Sequence, residues 1–403
     1  MHVWVFTFEY GPSIIGGLGV VATRLSQALA DLGHEVTVFT RAGGPPGITR
    51  DEGVSVVRLP ARAPFYLRER RRYKVHPIAD LTAELSLDRP DVIHVHSVQF
   101  ANVALHFGRV HGVPVVYTCH SLVRDEPQSP LRNLVMRRQE RLLKKCDSVV
   151  VPSEWQWRTL VNAYPACAGR VRVIANGVDV PEGARLATVA TEVAEAAERA
   201  GRDKLRLLFV GRLVPGKGVE SLLRAVAILR RRGLSVQLDV VGRGSRAYTQ
   251  HLQRMARRLG IAHRVRWLGF RAPSAIPQMY LSHDVVVVPS RQESFGLVAL
   301  EAMAWGVPLV STRSGGLADF VDPQVAEVIP RTTGLAVANA IHRIVRRPEA
   351  ALAYVEEARR RAERYAWPRV AERYADLFAE ICQVDGPGIE IPMEAEVHGS
   401  MAF

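Results

Sequence analysis

The stretch VPSRQESFGLVALEAMAWGVPLVSTRSGGLAD, residues 288–319, decides the fold. It opens on the end of a run, residues 284–288, whose β-branched density is that of a strand buried on both faces. A polar turn then carries Glu293, Ser294, Phe295 and Gly296, and residues 297–305 read as a helix with apolar Leu297, Leu300 and Ala304 and one acid, Glu301. Strand, turn and helix start leave free backbone N–H groups and the positive end of the helix dipole at residues 294–297, which suits an anion. Glu293 and Glu301, eight residues apart, can face one ligand from two sides. Carboxylates only accept hydrogen bonds, so the vicinal hydroxyls of a ribose or hexose suit them. The pair fits equally a helix-start acid and a half-exposed helical one, and the surroundings must decide.

Those surroundings alternate strand and helix. Residues 3–8 are an apolar strand, followed by EYGPSIIGGLG (9–19) and a helix over 20–32; further strands lie at 35–40, 54–59, 91–96, 113–118, 147–152 and 171–175. This is the pattern of a doubly wound parallel sheet. Gly16, Gly17 and Gly19 either let backbone approach a ligand or serve tight turning alone. Their spacing is not G-x-G-x-x-G, so the nicotinamide dinucleotide fingerprint is absent. His120 lies just past the carboxyl end of the 113–118 strand, where open α/β sheets bind ligands, although a core-satisfied histidine fits too. His94 and His96 alternate on one strand with no third ligand nearby and read as packed and loop-supporting, not metal-bound.

Residues 181–204, rich in Ala and Glu, read as a linker, and a second α/β series starts with a strand at 205–210. Its first turn, GRLVPGKG (211–218), adds Arg212 and Lys217 to a helix N-terminus, a combination suited to a diphosphate; a basic surface turn is the plain alternative. Walker A spacing is not met. Strands follow at 235–241, 265–268, 284–288 and 308–311. From residue 343 the chain reads as helical, with a break at Trp367-Pro368 and a last helix over 369–382. The expected division is a first Rossmann-like domain (1–180), the linker, a second such domain (205–366), the helix 367–382 packing back on the first domain, and a disordered acidic tail (383–403).

At 403 residues and 48% hydrophobic content the chain supports two cores. No apolar run approaches the ~20 residues of a membrane span. The start, MHVWVFTFEYG, lacks the basic flank and cleavage site of a signal peptide, so a cytoplasmic protein is expected. The four cysteines (119, 146, 167, 382) have no paired or metal-ligand spacing and read as reduced. A net charge of +13 implies an anionic partner. Basic clusters at 68–74, 137–145, 230–232 and 359–361 come without a nucleic-acid-binding motif, leaving a phosphorylated substrate or peripheral contact with an anionic membrane.

GRLVPGKG (211–218) and ESFGLVALE (293–301), with GGLG (16–19), TCH ending at His120 and NGVD (176–179), resemble over residues 1–382 the GT-B nucleotide-sugar glycosyltransferases, and more narrowly retaining family 4. The resemblance implies that Arg212 and Lys217 hold the donor diphosphate, that Glu301 binds the ribose hydroxyls, and that Glu293 with the backbone N–H groups of Phe295 and Gly296 holds the transferred sugar. Ser294 and Leu297 belong to the same donor site. Gly16 and Gly17 approach the diphosphate from the first domain, His120 stands beside the anomeric centre, and Phe270 lies in the loop that reads the base. The catalytic set is then His120, Arg212, Lys217 and Glu293. The implied reaction is a front-face displacement from UDP-glucose or a related donor to a sugar, polysaccharide or lipid-linked acceptor, in which the leaving phosphate takes the acceptor proton. No D-x-D occurs, so no cofactor and no metal are expected. Two departures stand out: Asp319 where the family often has Glu, and residues 322–333, unlike the usual glycine-rich return. A GT-B epimerase and a non-catalytic nucleotide-sugar-binding protein are the alternatives.

Overall fold

The structure, a computed structural model, describes residues 1–41, 47–59, 88–126, 131–181 and 204–384. The basic segment 68–74, the body of the linker and the tail from residue 385 lie outside the described residues. Two sheets carry the chain. The first has eight strands: β1 (His2–Phe6), β2 (Glu35–Thr40), β3 (Gly47–Asp51), β4 (Val54–Arg58), β5 (Val92–Val95), β6 (Val115–Thr118), β7 (Ser148–Val151) and β8 (Val171–Val173), in the order β3-β4-β2-β1-β5-β6-β7-β8. All pairings are parallel except β3 on β4. The second has six parallel strands: β9 (Leu205–Val210), β10 (Val236–Val241), β11 (Val265–Gly269), β12 (Val285–Val288), β13 (Leu309–Ser311) and β14 (Glu327–Val328), in the order β11-β10-β9-β12-β13-β14. Their apolar runs explain the burial: all of β1 (HVWVF) and all of β12 (VVVV) are covered on both faces.

Strand order reverses between β1 and β5 in one sheet and between β9 and β12 in the other. Open parallel sheets bind ligands in the crevice outside the strand carboxyl ends at such a reversal. The four segments that leave these ends are the Glu9–Gly16 loop, His96, the Gly211–Gly218 loop and the Glu293 turn. Topology alone therefore gathers the candidate residues of both halves.

The first helix spans Gly17–Asp31, not 20–32, so Gly17 and Gly19 lie in its first turn and not in the loop. A Cβ on Gly19 would come within 2.8 Å of the Glu9 side chain, and only glycine lets that turn start under Glu9. Trp367-Pro368 is not a break but the start of the last helix, Trp367–Val384; proline in a first turn removes an N–H that has no helical partner anyway. Helix resumes at Gly334, earlier than residue 343, and β3, β14 and the helices Arg246–Arg258 and Ile276–Leu281 have no counterpart in the sequence expectations. The last helix packs Tyr374, Leu377 and Phe378 among Val3, Val5 and Leu25 of the first sheet's layer. The Trp367 ring lies over Gly177, where a Cβ would sit 2.3 Å from it, and Val178 N–H donates to the Tyr365 carbonyl at 2.8 Å.

Candidate active site

In the second domain the Gly211–Gly218 loop and the Glu293 turn are stitched edge to edge. Arg291 N–H donates to the Gly216 carbonyl at 2.8 Å, and Gly218, at φ +72°, lies so close that a Cβ would stand 2.0 Å from the Pro289 carbonyl oxygen. On this seam Lys217 Nζ donates to both carboxylate oxygens of Glu293, at 2.6 and 2.7 Å, and Ser290 Oγ adds a bond of 2.8 Å to Oε1. Both side chains are mostly buried. The family resemblance implies different parts of a donor for the two; here they bond to each other, because both reach the same point above β9 and β12 and neutralise one another there. Arg212 is exposed and makes no ion pair among the described residues.

Glu301 stands one turn into the helix Leu297–Ala304 and takes a hydrogen bond from the Tyr280 hydroxyl at 2.5 Å. Burial pushes its carboxyl up to about 7; the Tyr280 bond opposes this and the charge of Asp179 adds to it. Glu293 and Glu301 are thus held by separate partners. Gly296 caps the helix at φ +110°, and a Cβ there would stand 2.4 Å from Leu317. Phe295 is buried against Phe320 (ring centroids 5.1 Å apart), while Ser294 and Leu297 are half-exposed beside it. The Gly315-Gly316 turn supports this from behind, with Gly316 N–H donating to the Glu293 carbonyl at 2.8 Å. Beyond β11, Phe270 carries the Arg243 guanidinium 5.4 Å above its ring.

The first domain closes over the other side. A Cβ on Gly17 would come within 2.9 Å of Leu297 Cδ1, so the glycine lets the two halves touch, whereas Gly16 has open space above it. The Glu9 carboxylate accepts from Ile15 N–H (2.8 Å) and Gly16 N–H (3.0 Å), filling the loop's anion-seeking groups from inside the chain. Ser153 Oγ donates to the Ser294 carbonyl at 2.6 Å. Ser153 caps the first-domain helix Glu154–Ala163 by accepting from Gln156 N–H at 3.0 Å, and Asp319, the departure noted in the sequence, accepts the Glu154 N–H of the same first turn at 2.8 Å from the second domain. Burial raises the Asp319 carboxyl. His120 is half-buried at the end of β6, its Nε2 3.0 Å from His96 Nδ1, and burial pushes it down to about 4.

Glu9, Tyr280, Ser153 and the His96 contact are absent from the sequence-derived site. Glu9 meets its partners within one loop, six and seven residues on, where no motif marks the pairing; the partners of Tyr280, Ser153 and His96 are reached through tertiary packing, and no local spacing signals them, apart from the alternation of His94 and His96. Among the described residues no three or more His, Cys, Asp or Glu side chains are grouped to hold a metal ion.

Comparison with known proteins now identifies this arrangement. The family model described as Glycosyltransferase Family 4 matches residues 15–182, and that described as Glycosyl transferases group 1 matches residues 191–361. A D-inositol 3-phosphate glycosyltransferase from Saccharomonospora viridis is 32% identical over 92% of this chain and 90% of its own length. The chain belongs to glycosyltransferase family 4. A second relative of the same description, from Corynebacterium diphtheriae, is 30% identical over 93% of this chain and 92% of its own. Among solved structures, sucrose-phosphate synthase from Thermosynechococcus elongatus superimposes with a TM-score of 0.76 at 23% identity, covering 95% of this chain and 100% of that one. Anabaena HepE in complex with UDP and glucose gives 0.72 at 20% identity, covering 94% and 99%. These likenesses establish the GT-B fold for this family-4 chain.

Proposed function

We propose that this family-4 glycosyltransferase moves a hexosyl group, with retention and without a metal, from a nucleoside diphosphate sugar such as UDP-glucose to an acceptor hydroxyl. The observation that carries the reading is the Lys217–Glu293 pair at the β9/β12 reversal. A diphosphate arriving at the seam gives Lys217 a stronger anionic partner, and the released Glu293 accepts hydrogen bonds from the sugar hydroxyls. Arg212, exposed on the same loop, supplies a second positive charge. As the bond from the anomeric carbon to the phosphate oxygen breaks, both cations face the charge that develops on the leaving diphosphate. The acceptor oxygen bonds to the same face of the sugar, and its proton passes to the departing phosphate oxygen. Glu301 accepts from the ribose hydroxyls, Phe270 lies at the base, and the backbone of Gly16 and Gly17 leaves room for the diphosphate from the first domain.

For the acceptor, the relatives described as D-inositol 3-phosphate glycosyltransferases favour a phosphorylated polyol, and a net charge of +13 suits an anionic acceptor. Incubation with UDP-glucose and inositol phosphate in the presence of a chelator, with the product anomer read by NMR, tests the reading. An α-linked product from the α-configured donor is expected; an inverted product, or activity only with added divalent ions, contradicts it. Peripheral membrane contact rests on the basic helix Arg132–Lys145 with Leu131 and Leu134 exposed at its start. Each cation adds ~1 kcal/mol near an anionic leaflet. Failure to sediment with anionic vesicles at low salt removes that part of the reading.

A further inference from the structure

Three histidines cluster at the carboxyl ends of β5 and β6, and only His120 has a place in the site described so far. His96 is 2% exposed, and its ring meets that of His120 nearly edge to edge, with centroids 5.2 Å apart and planes inclined by 25°. His96 Nδ1 stands 3.0 Å from His120 Nε2, and His96 Nε2 is buried with no hydrogen-bond partner among the described residues. Below them the His94 ring is 4.2 Å from that of His96; its Nε2 lies 2.7 Å from Thr118 Oγ1, which is 3.1 Å from the Tyr374 hydroxyl of the last helix. This string fixes the cluster from beneath.

Burial keeps all three rings neutral near neutral pH: His120 is pushed down to about 4, His94 to about 3, and His96 well below its ordinary value. A neutral imidazole holds one proton, on one of two nitrogens. Were the His96 proton on Nε2, a buried N–H would be left with nothing to bond, the rarer and costlier kind of orphan. On Nδ1 the proton points at His120 Nε2, which must then accept. The His120 proton consequently resides on Nδ1.

We propose that His96 is a positioning residue that holds His120 in the Nδ1–H tautomer, so that the ring presents a donor, not a bare lone pair, to a substrate hydroxyl. The contribution to transfer rests on the family-4 reaction proposed above, whereas the tautomer does not. Nitrogen NMR of the histidine rings in the full chain, with His120→Gln for assignment, reads the tautomer directly. The wild type is expected to show His120 protonated on Nδ1. His96→Asn, which keeps an N–H where Nδ1 stood, should preserve that state. His96→Leu should mix the two tautomers and lower kcat about tenfold with the donor KM unchanged, the loss of one well-ordered hydrogen bond. His120 protonated on Nε2 in the wild type, or identical His120 spectra in wild type and His96→Leu, overturns the proposal. If His96→Leu fails to fold, the wild-type and His96→Asn spectra decide. The spectra need no substrate, so a wild type that transfers nothing would count against the reaction and not against the tautomer.

Discussion

The two domains begin alike, with a buried strand, a glycine-rich turn and a helix, yet their first turns treat charge in opposite ways. In the first, the backbone N–H groups of Ile15 and Gly16 are filled by the carboxylate of Glu9 from the same loop, and Glu9, Gly16 and Gly19 shape one another with no cation in the turn. In the second, the turn supplies cations, and its Lys217 is held by a carboxylate seventy-six residues away. A local pairing sets the shape of a loop; a distant pairing between two strand ends leaves a partner that a ligand can exchange. On the proposed reading, the first turn is a wall of the cleft and the second its charged floor.

This contrast breaks most sharply at Lys217. Lys217→Ala should lower turnover on the order of 10²-fold or more at saturating donor, since on the proposed reading it removes the charge that faces the leaving diphosphate; near-normal kcat would erase the distinction between the turns. Next in size is Gly296→Ala. Its φ of +110° and the 2.4 Å approach to Leu317 leave no room for a methyl group, so thermal unfolding should report a loss of about 2 kcal/mol or more, with weakened donor binding.

The pH dependence sharpens the comparison within the second domain. The Glu301 carboxyl is raised from its ordinary value of 4.5 to about 7, so over that interval the folded chain binds more protons than the unfolded one. Its contribution to stability is complete below the unfolded value and is lost as pH rises through the folded one. Melting temperature without ligand should therefore fall between these two pH values in wild type relative to Glu301→Gln, while donor affinity, which on the proposed reading uses the ionised carboxylate, should rise over the same range. A flat difference between the two proteins would contradict the assignment. The smallest effect belongs to the first turn: Glu9→Ala should cost about 1 kcal/mol of stability and change kcat less than tenfold, because it removes loop-shaping bonds and no charge that faces the donor.

The sequence exposed the parallel strands through runs such as VVVV and the seam motifs through their glycines and cations. The site needed more. β3 (GITRD) carries no apolar alternation, because it lies exposed at a sheet edge, and so has no period to detect. Tyr280 meets Glu301 across twenty-one residues, Ser153 meets Ser294 across one hundred and forty-one, and Tyr374 meets Thr118 across two hundred and fifty-six. The first follows from packing within the second domain, the second from the approach of the two domains and the third from the last helix docking on the first sheet, and no local window contains both partners. Asp319 illustrates the gain: in the sequence it is only a departure from a family habit, while in the fold it accepts the first N–H of the helix Glu154–Ala163 from the other domain.

The exchange of Lys217 from Glu293 to a diphosphate is tested most directly by calorimetric titration of UDP, ADP and GDP, in chelator, into wild type and Lys217→Ala. At least one diphosphate is expected to bind the wild type, and the same one to bind the variant at least tenfold more weakly, as loss of a charge-assisted bond dictates. Equal affinity for both proteins, or wild-type binding only after a divalent ion is restored, would contradict it.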